Sequence, residues 1–134
     1  MFQVTQEIHF CYGHRLLNYE GKCKHLHGHN ARAIITLERE TLDDKGMVVD
    51  FSDIKKTIRT WIEDELDHRM ILSEKDPVLP MLRELGEPLF VTPCNPTAEN
   101  IAKIIFDYAK EKGLPVVEVR LWETAKSFAT YQED

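Results

Sequence analysis

Residues 23–40 read Cys23-Lys24-His25-Leu26-His27-Gly28-His29-Asn30-Ala31-Arg32-Ala33-Ile34-Ile35-Thr36-Leu37-Glu38-Arg39-Glu40. Cys23, His25, His27 and His29 fall at every second position, and Ala31, Ala33, Ile35 and Leu37 continue the same interval. Side chains two apart in an extended chain share a face. From His29 to Glu40 the pattern predicts a strand with one buried face. Asp43-Asp44-Lys45-Gly46 then supplies a turn before Met47 to Phe51, which predicts a hairpin.

Working outward, Val4, Ile8 and Phe10 alternate with polar neighbours and predict a first strand near 2–10. Downstream, Ser52 or Asp53 can cap a helix from about 53 to 66, where Ile54, Ile58, Trp61, Ile62 and Leu66 make one apolar stripe. The stretch 73–95 is rich in Pro and Gly and interrupts regular structure, with a short helix around Leu79 to Leu85. Asn95-Pro96-Thr97 opens a second long helix whose apolar face is Ile101, Ile104, Ile105 and Tyr108, up to Gly113. Alternation returns at Val117, Val119 and Leu121, with Ser127 to Tyr131 as a pairing strand. The order ββ, α, α, ββ predicts an α+β fold, an antiparallel four-stranded sheet with two long helices on one face. No repeat or linker divides the chain, so 1–134 reads as one domain. Such an open sheet has edges that invite pairing with other copies.

A chain of 134 residues with 43% hydrophobic and 30% charged residues can bury a core without metal or disulfide staples, so any metal here is expected to be functional. No apolar run approaches the roughly 20 residues that cross a bilayer, and Met1 to Phe10 lacks signal-peptide character, so no membrane association and a cytoplasmic location are expected. Three unpaired cysteines fit reduced thiols. A formal net charge of -6 argues against nucleic-acid binding while leaving room for a small phosphorylated ligand.

Imidazoles at this density are metal ligands in character. His27 and His29 share a face, and Gly28 between them is read as letting the backbone approach an ion. His14, at the end of the first strand, is the natural third ligand for Zn2+, with His25 as competitor. Cys23, flanked by Lys22 and Lys24, can be a ligand or a proton-abstracting thiolate, and spacing leaves both roles open. Cys11 and Cys94 read as inert buried thiols. Asp67-His68 suits either a proton relay or a helix end. Glu123 continues the apolar series 117, 119, 121. Its carboxylate then meets a guanidine-like heterocycle, or else pairs with Arg120 or Lys126. Glu99 by itself suits the helix dipole.

Together these residues resemble the family of 6-pyruvoyl-tetrahydropterin synthase and 6-carboxytetrahydropterin synthase over nearly the whole chain. The matching motifs are Phe10 to His14, Cys23 with His27-Gly28-His29, Gly46 to Phe51, Leu66-Asp67-His68, Asn95-Pro96-Thr97-Ala98-Glu99 and Trp122-Glu123-Thr124. The resemblance implies the tunnelling fold, assembled as a trimer or hexamer. It implies zinc on His14, His27 and His29, Cys23 as base, and Asp67 with His68 as relay. Glu123 would hold a pterin ring, with Thr97 and Glu99 nearby. The implied substrate is the small-molecule pterin triphosphate 7,8-dihydroneopterin triphosphate. Its implied fate is 6-carboxytetrahydropterin with loss of acetaldehyde and triphosphate, towards queuosine, or alternatively 6-pyruvoyl-tetrahydropterin. A zinc hydrolase is disfavoured because no His-Glu-x-x-His is present, and a non-catalytic zinc or pterin binder leaves Cys23, Asp67, His68 and Glu123 without a role. Two departures stand out: Cys11-Tyr12-Gly13 in place of small residues, and a longer span from His68 to Asn95.

Overall fold

In a computed structural model describing residues 1–134, the sheet is organised by two long strands, β1 (Phe2–His14) and β2 (His27–Arg39). They pair antiparallel in unbroken register from Phe2 opposite Arg39 to His14 opposite His27. The hairpin therefore joins β1 to β2, and β1 runs four residues beyond the expected end at Phe10.

Met47–Phe51 is not the return strand predicted for β2. The Asp43 carboxylate accepts the N–H groups of Lys45 and Met47 at 2.9 and 3.0 Å, closing a turn, and the Asp50 side chain accepts Ser52 N–H at 2.8 Å. Asp50 is thus the N-cap, and the helix starts at Phe51 rather than after Ser52. It runs through α1 (Phe51–Ile54), a π-helical stretch Lys55–Arg59 and α2 (Thr60–Glu65).

Two further strands come from the stretch read as irregular. β3 (Arg69–Ser73) lies parallel to β1, and β4 (Leu89–Thr92) lies parallel to β3, with the short helix α3 (Leu79–Glu84) between them. After α4 (Ala98–Glu111), β5 (Val116–Trp122) pairs antiparallel with β2, and β6 (Phe128–Gln132) with β5. The sheet is therefore six-stranded and mixed, in the order β4-β3-β1-β2-β5-β6, rather than four-stranded and antiparallel. Parallel strands covered on both faces are short continuous apolar runs. Met70-Ile71-Leu72 and Leu89-Phe90-Val91 fit that description and carry no alternation to read.

A register shift between Thr36 and Leu37 brings Val116 opposite Leu37, so Val116, Val119 and Leu121 are buried while Val117 is only half-buried. The helices cover the sheet face formed by Ile8, Phe10, Ala31, Ala33, Ile35, Val119 and Leu121. They contribute Ile54, Ile58, Ile62, Ile101, Ile105 and Phe106 to the core. Trp61 stacks on Tyr108 with ring centroids 4.2 Å apart, which locks α2 to α4. The opposite face is polar: Arg32 pairs with Glu7 at 2.7 Å and lies over the Trp122 ring.

Candidate active site

The alternation that builds the core continues past it into the site. Phe10 and Ala31 are core residues, and the next inward pair is Tyr12 with His29, followed by His14 with His27. Residues opposite each other in a ladder share a face, so three imidazoles converge. Ring centroids lie 4.5 Å apart for His14 and His27, and 5.0 Å for each of the other two pairs. One ligand nitrogen from each lies within 4.8 Å of the others.

The tautomers suit a metal. His14 Nδ1 bonds the Pro96 carbonyl and His27 Nδ1 the His25 carbonyl, each at 2.7 Å, which puts the proton on Nδ1 and leaves Nε2 with a lone pair. His14 Nε2 is 3.1 Å from His29 Nε2. Burial holds His14 and His29 below the usual histidine range, His14 against opposing contributions from the Pro96 carbonyl and Glu123. Neutral imidazoles with converging lone pairs are a donor set for a divalent transition metal. His25 contributes its carbonyl to this arrangement, while its side chain is exposed.

Glu123 lies one residue beyond β5 on the same face. Its Oε1 is 3.7 Å from His14 Nε2 and 4.0 Å from His29 Nε2, and it accepts the Tyr12 hydroxyl at 2.7 Å. Arg120 pairs instead with Glu118, so an ion pair at an exposed strand end is not the role of Glu123. Burial, then the adjacent carboxylate, pushes the Tyr12 phenol well above its ordinary range, so it remains a donor.

Asp67 and His68 form the expected pair, with His68 Nδ1 2.8 Å from Asp67 Oδ2. Asp67 Oδ1 also accepts Cys11 N–H at 2.9 Å, and His68 N–H donates to the Cys11 carbonyl at 2.7 Å. His68 has φ 59, a left-handed conformation that a glycine or asparagine would adopt at less cost. Cys11, read as an inert thiol, has its sulfur within 4.8 Å of ligand atoms of both residues and bonds Asn30 Oδ1 at 3.0 Å. Cys23 sits in a one-turn helix, Lys22–Lys24, half-buried, and its carbonyl accepts Leu16 N–H at 2.8 Å. Within one chain it joins neither the histidine cluster nor the Asp67–His68 pair.

A cavity of about 610 Å³ is lined by Cys11, His27, Gly28, His29, His68 and Met70 among others, while His14, Asp67, Glu123 and Cys23 do not line it. Thr97 and Glu99 do not line it: the Thr97 hydroxyl caps α4 by accepting Asn100 N–H, and Glu99 is exposed on the first turn. Gly28 alternates with His27 and His29, so it faces away from their convergence. A Cβ there would lie 3.4 Å from the Tyr12 carbonyl, an ordinary contact. Room for a metal is thus not what glycine provides; its partner Gly13 is the tighter position, where a Cβ would fall 2.7 Å from the Met70 side chain.

Sequence reasoning missed the supports contributed by 73–96. The Pro96 carbonyl orients His14, and the Asn95 side chain clasps the Leu17 backbone, accepting its N–H at 2.9 Å and donating to its carbonyl at 3.0 Å. Asp76 is buried and accepts both Nε (2.8 Å) and Nη2 of Arg15, the residue after His14. Leu82, Leu85 and Pro88 form the far wall of the cavity. No residue pattern announces a carbonyl acceptor, although Asn95-Pro96 is visible as a cap signal.

A family model described as 6-pyruvoyl tetrahydropterin synthase matches residues 3–134. The chain belongs to the 6-pyruvoyl tetrahydropterin synthase family. A relative from Haemophilus influenzae named 6-carboxy-5,6,7,8-tetrahydropterin synthase is 35% identical over 141 residues, covering 99% of this chain and 100% of the relative. Among solved structures, an uncharacterized protein from Wolinella succinogenes has a TM-score of 0.84 at 28% identity, covering 99% of this chain and 98% of that one. The Caenorhabditis elegans 6-pyruvoyl tetrahydropterin synthase has a TM-score of 0.73 at 25% identity, covering 99% and 96%. The fold of the family, helices on one face of a curled sheet, is thus the fold of this chain.

Proposed function

We propose that this chain is a zinc-dependent lyase that converts 7,8-dihydroneopterin triphosphate to 6-carboxy-5,6,7,8-tetrahydropterin, releasing acetaldehyde and triphosphate. The observation that carries this reading is the Glu123 carboxylate beside three converging imidazoles, in a chain similar over its full length to an enzyme named for that product. His14, His27 and His29 hold the zinc, which when bound supplies Lewis-acid polarisation of the substrate side-chain oxygens.

The remaining steps belong to the protein. Glu123 accepts ring N–H groups and orients the heterocycle, because a carboxylate meets paired N–H donors in bidentate fashion. His68, held by Asp67 through Nδ1, has Nε2 available to carry a proton at the cavity wall. Cys23 moves the other proton, and Asn95 and Pro96 keep His14 in register. Within one chain Cys23 does not join the cluster of Asp67 and His68 or line the cavity beside His68, and the sheet ends in β4 and β6. Both features support a homo-oligomer, a trimer or hexamer, in which copies close the edges and complete the site. No helix is long and apolar enough to cross a membrane, and a cytoplasmic place, in the supply of deazapurine precursors such as that of queuosine, fits the reaction.

Cys23→Ala tests the assignment of roles. The expected variant retains its zinc and loses turnover by about a hundredfold or more, as loss of an acid-base group does. Loss of zinc would make the thiol a ligand, and undiminished turnover would remove it from the reaction.

A further inference from the structure

The reaction proposed above uses the three histidines and Glu123 but gives no part to Tyr12, whose ring is packed among them. Tyr12 is 2% exposed, with ring centroids 5.2 Å from His14 and 5.6 Å from His29. Its hydroxyl has one protein partner, Glu123 Oε1, at 2.7 Å. That same oxygen stands 3.7 Å from His14 Nε2 and 4.0 Å from His29 Nε2, which are themselves 3.1 Å apart.

These distances have a meaning for coordination. With metal–nitrogen and metal–oxygen bonds of about 2.0–2.2 Å, the ligand atoms of a tetrahedral site lie roughly 3.3–3.5 Å from one another. Oε1 is a few tenths of an ångström outside that spacing from His14 and His29 but stands farther from His27, so a shift of the Glu123 side chain towards His27 would make it a fourth ligand. A catalytic zinc keeps its fourth position open, whereas a carboxylate ligand would close it. Without the phenol, Oε1 would have no protein donor, and a metal ion would be the nearest positive centre.

We propose that Tyr12 is a positioning residue that holds Glu123 out of the metal's fourth coordination position, leaving that position to the substrate and the carboxylate to the heterocycle. The half concerning the heterocycle rests on the function proposed above; the half concerning the metal rests on the geometry of the three histidines and Glu123. A phenol at 2.7 Å from a carboxylate oxygen makes a charge-assisted bond, about twice as strong as a neutral one, which suits a restraint of this kind. Phenylalanine would keep the ring packing and remove only the donor.

The test is Tyr12→Phe, with the protein loaded with cobalt(II) and azide as the probe of the open position. In the parent protein azide is expected to bind and change the visible d–d absorption. In Tyr12→Phe the carboxylate should move onto the metal, weakening azide binding by about tenfold and raising zinc affinity in chelator competition by a similar factor. KM for 7,8-dihydroneopterin triphosphate should rise about tenfold, with kcat changing less. Adding Glu123→Gln to Tyr12→Phe should restore azide binding, because a neutral amide is a poor ligand. Glu123→Gln alone supplies a check that does not depend on Tyr12: the d–d spectrum of the cobalt protein without azide should match the parent's, because the carboxylate is not a ligand. Unchanged azide response and zinc affinity in Tyr12→Phe would overturn the proposal, as would an altered azide-free d–d spectrum in Glu123→Gln alone, which would mean that the carboxylate is already a ligand. The metal readouts behaving as expected in a protein that binds no pterin would support Tyr12's role and count against the proposed reaction instead.

Discussion

The hairpin of β1 and β2 and the stretch from Arg69 to Pro96 serve the same three histidines in different ways. The hairpin supplies the imidazoles, since its register sets Tyr12 opposite His29 and His14 opposite His27. The later stretch supplies what holds them: the Pro96 carbonyl on His14, Asn95 on Leu17, Asp76 on Arg15 and the apolar wall of the cavity. The lesson is that donors are set by a repeating local geometry, while their orientation is set by single long-range contacts.

Substituting within each part should separate these roles. His14→Ala removes a donor and should lower zinc affinity by more than about a hundredfold, measured by competition with a chelator, since even supporting contacts are worth about 10–100-fold. Retained zinc would show that the hairpin is not the source of the metal site.

Asp76→Asn should leave the three donors in place but destabilise the fold by about 2 kcal/mol at neutral pH, because the Arg15 guanidinium loses its carboxylate. Arg15 holds the Asp76 carboxyl below the usual carboxylate range. The stabilisation is therefore complete above the ordinary value near pH 4, and is lost as pH falls through the lower folded value. Urea midpoints of parent and variant should differ at pH 7 and converge under strong acid. A constant difference across that range would remove the ion pair from the account.

Asn95→Ala should cost about 1 kcal/mol and lower zinc affinity by roughly tenfold, because two bonds to Leu17 are lost close to the His14–Pro96 contact. Gly28→Ala marks the small end. Its Cβ meets only an ordinary contact and faces away from the imidazoles, so zinc affinity should stay within about a factor of two and stability within about 0.5 kcal/mol. A large loss of zinc would return Gly28 to the role that its place between two histidines suggests.

Much of this comparison is legible in the amino-acid sequence itself. Period-2 alternation from His27 to Leu37 carries both the strand and the shared face of the donors, and Glu123 follows from Val119 and Leu121. The α4 cap at Thr97 and the short helix near Leu79 are also legible. What is not legible lacks a periodic signature. β3 and β4 are short apolar runs without alternation, and Met47–Phe51 is apolar enough to resemble a strand although Asp43 and Asp50 turn it into a helix entry. Tyr12 stands out as a departure, but its partner lies 111 residues away, and only the folded chain brings them to 2.7 Å. Cys11 reads as inert for the same reason: Asp67 and His68 reach it through β3 pairing beside β1.

The most direct test of the central claim is to incubate the zinc-loaded protein with 7,8-dihydroneopterin triphosphate and identify the products by mass spectrometry. The expected products are 6-carboxy-5,6,7,8-tetrahydropterin and acetaldehyde, both dependent on zinc and both lost in His14→Ala. Formation of 6-pyruvoyl-tetrahydropterin without acetaldehyde, or turnover that persists without the metal, would contradict the claim.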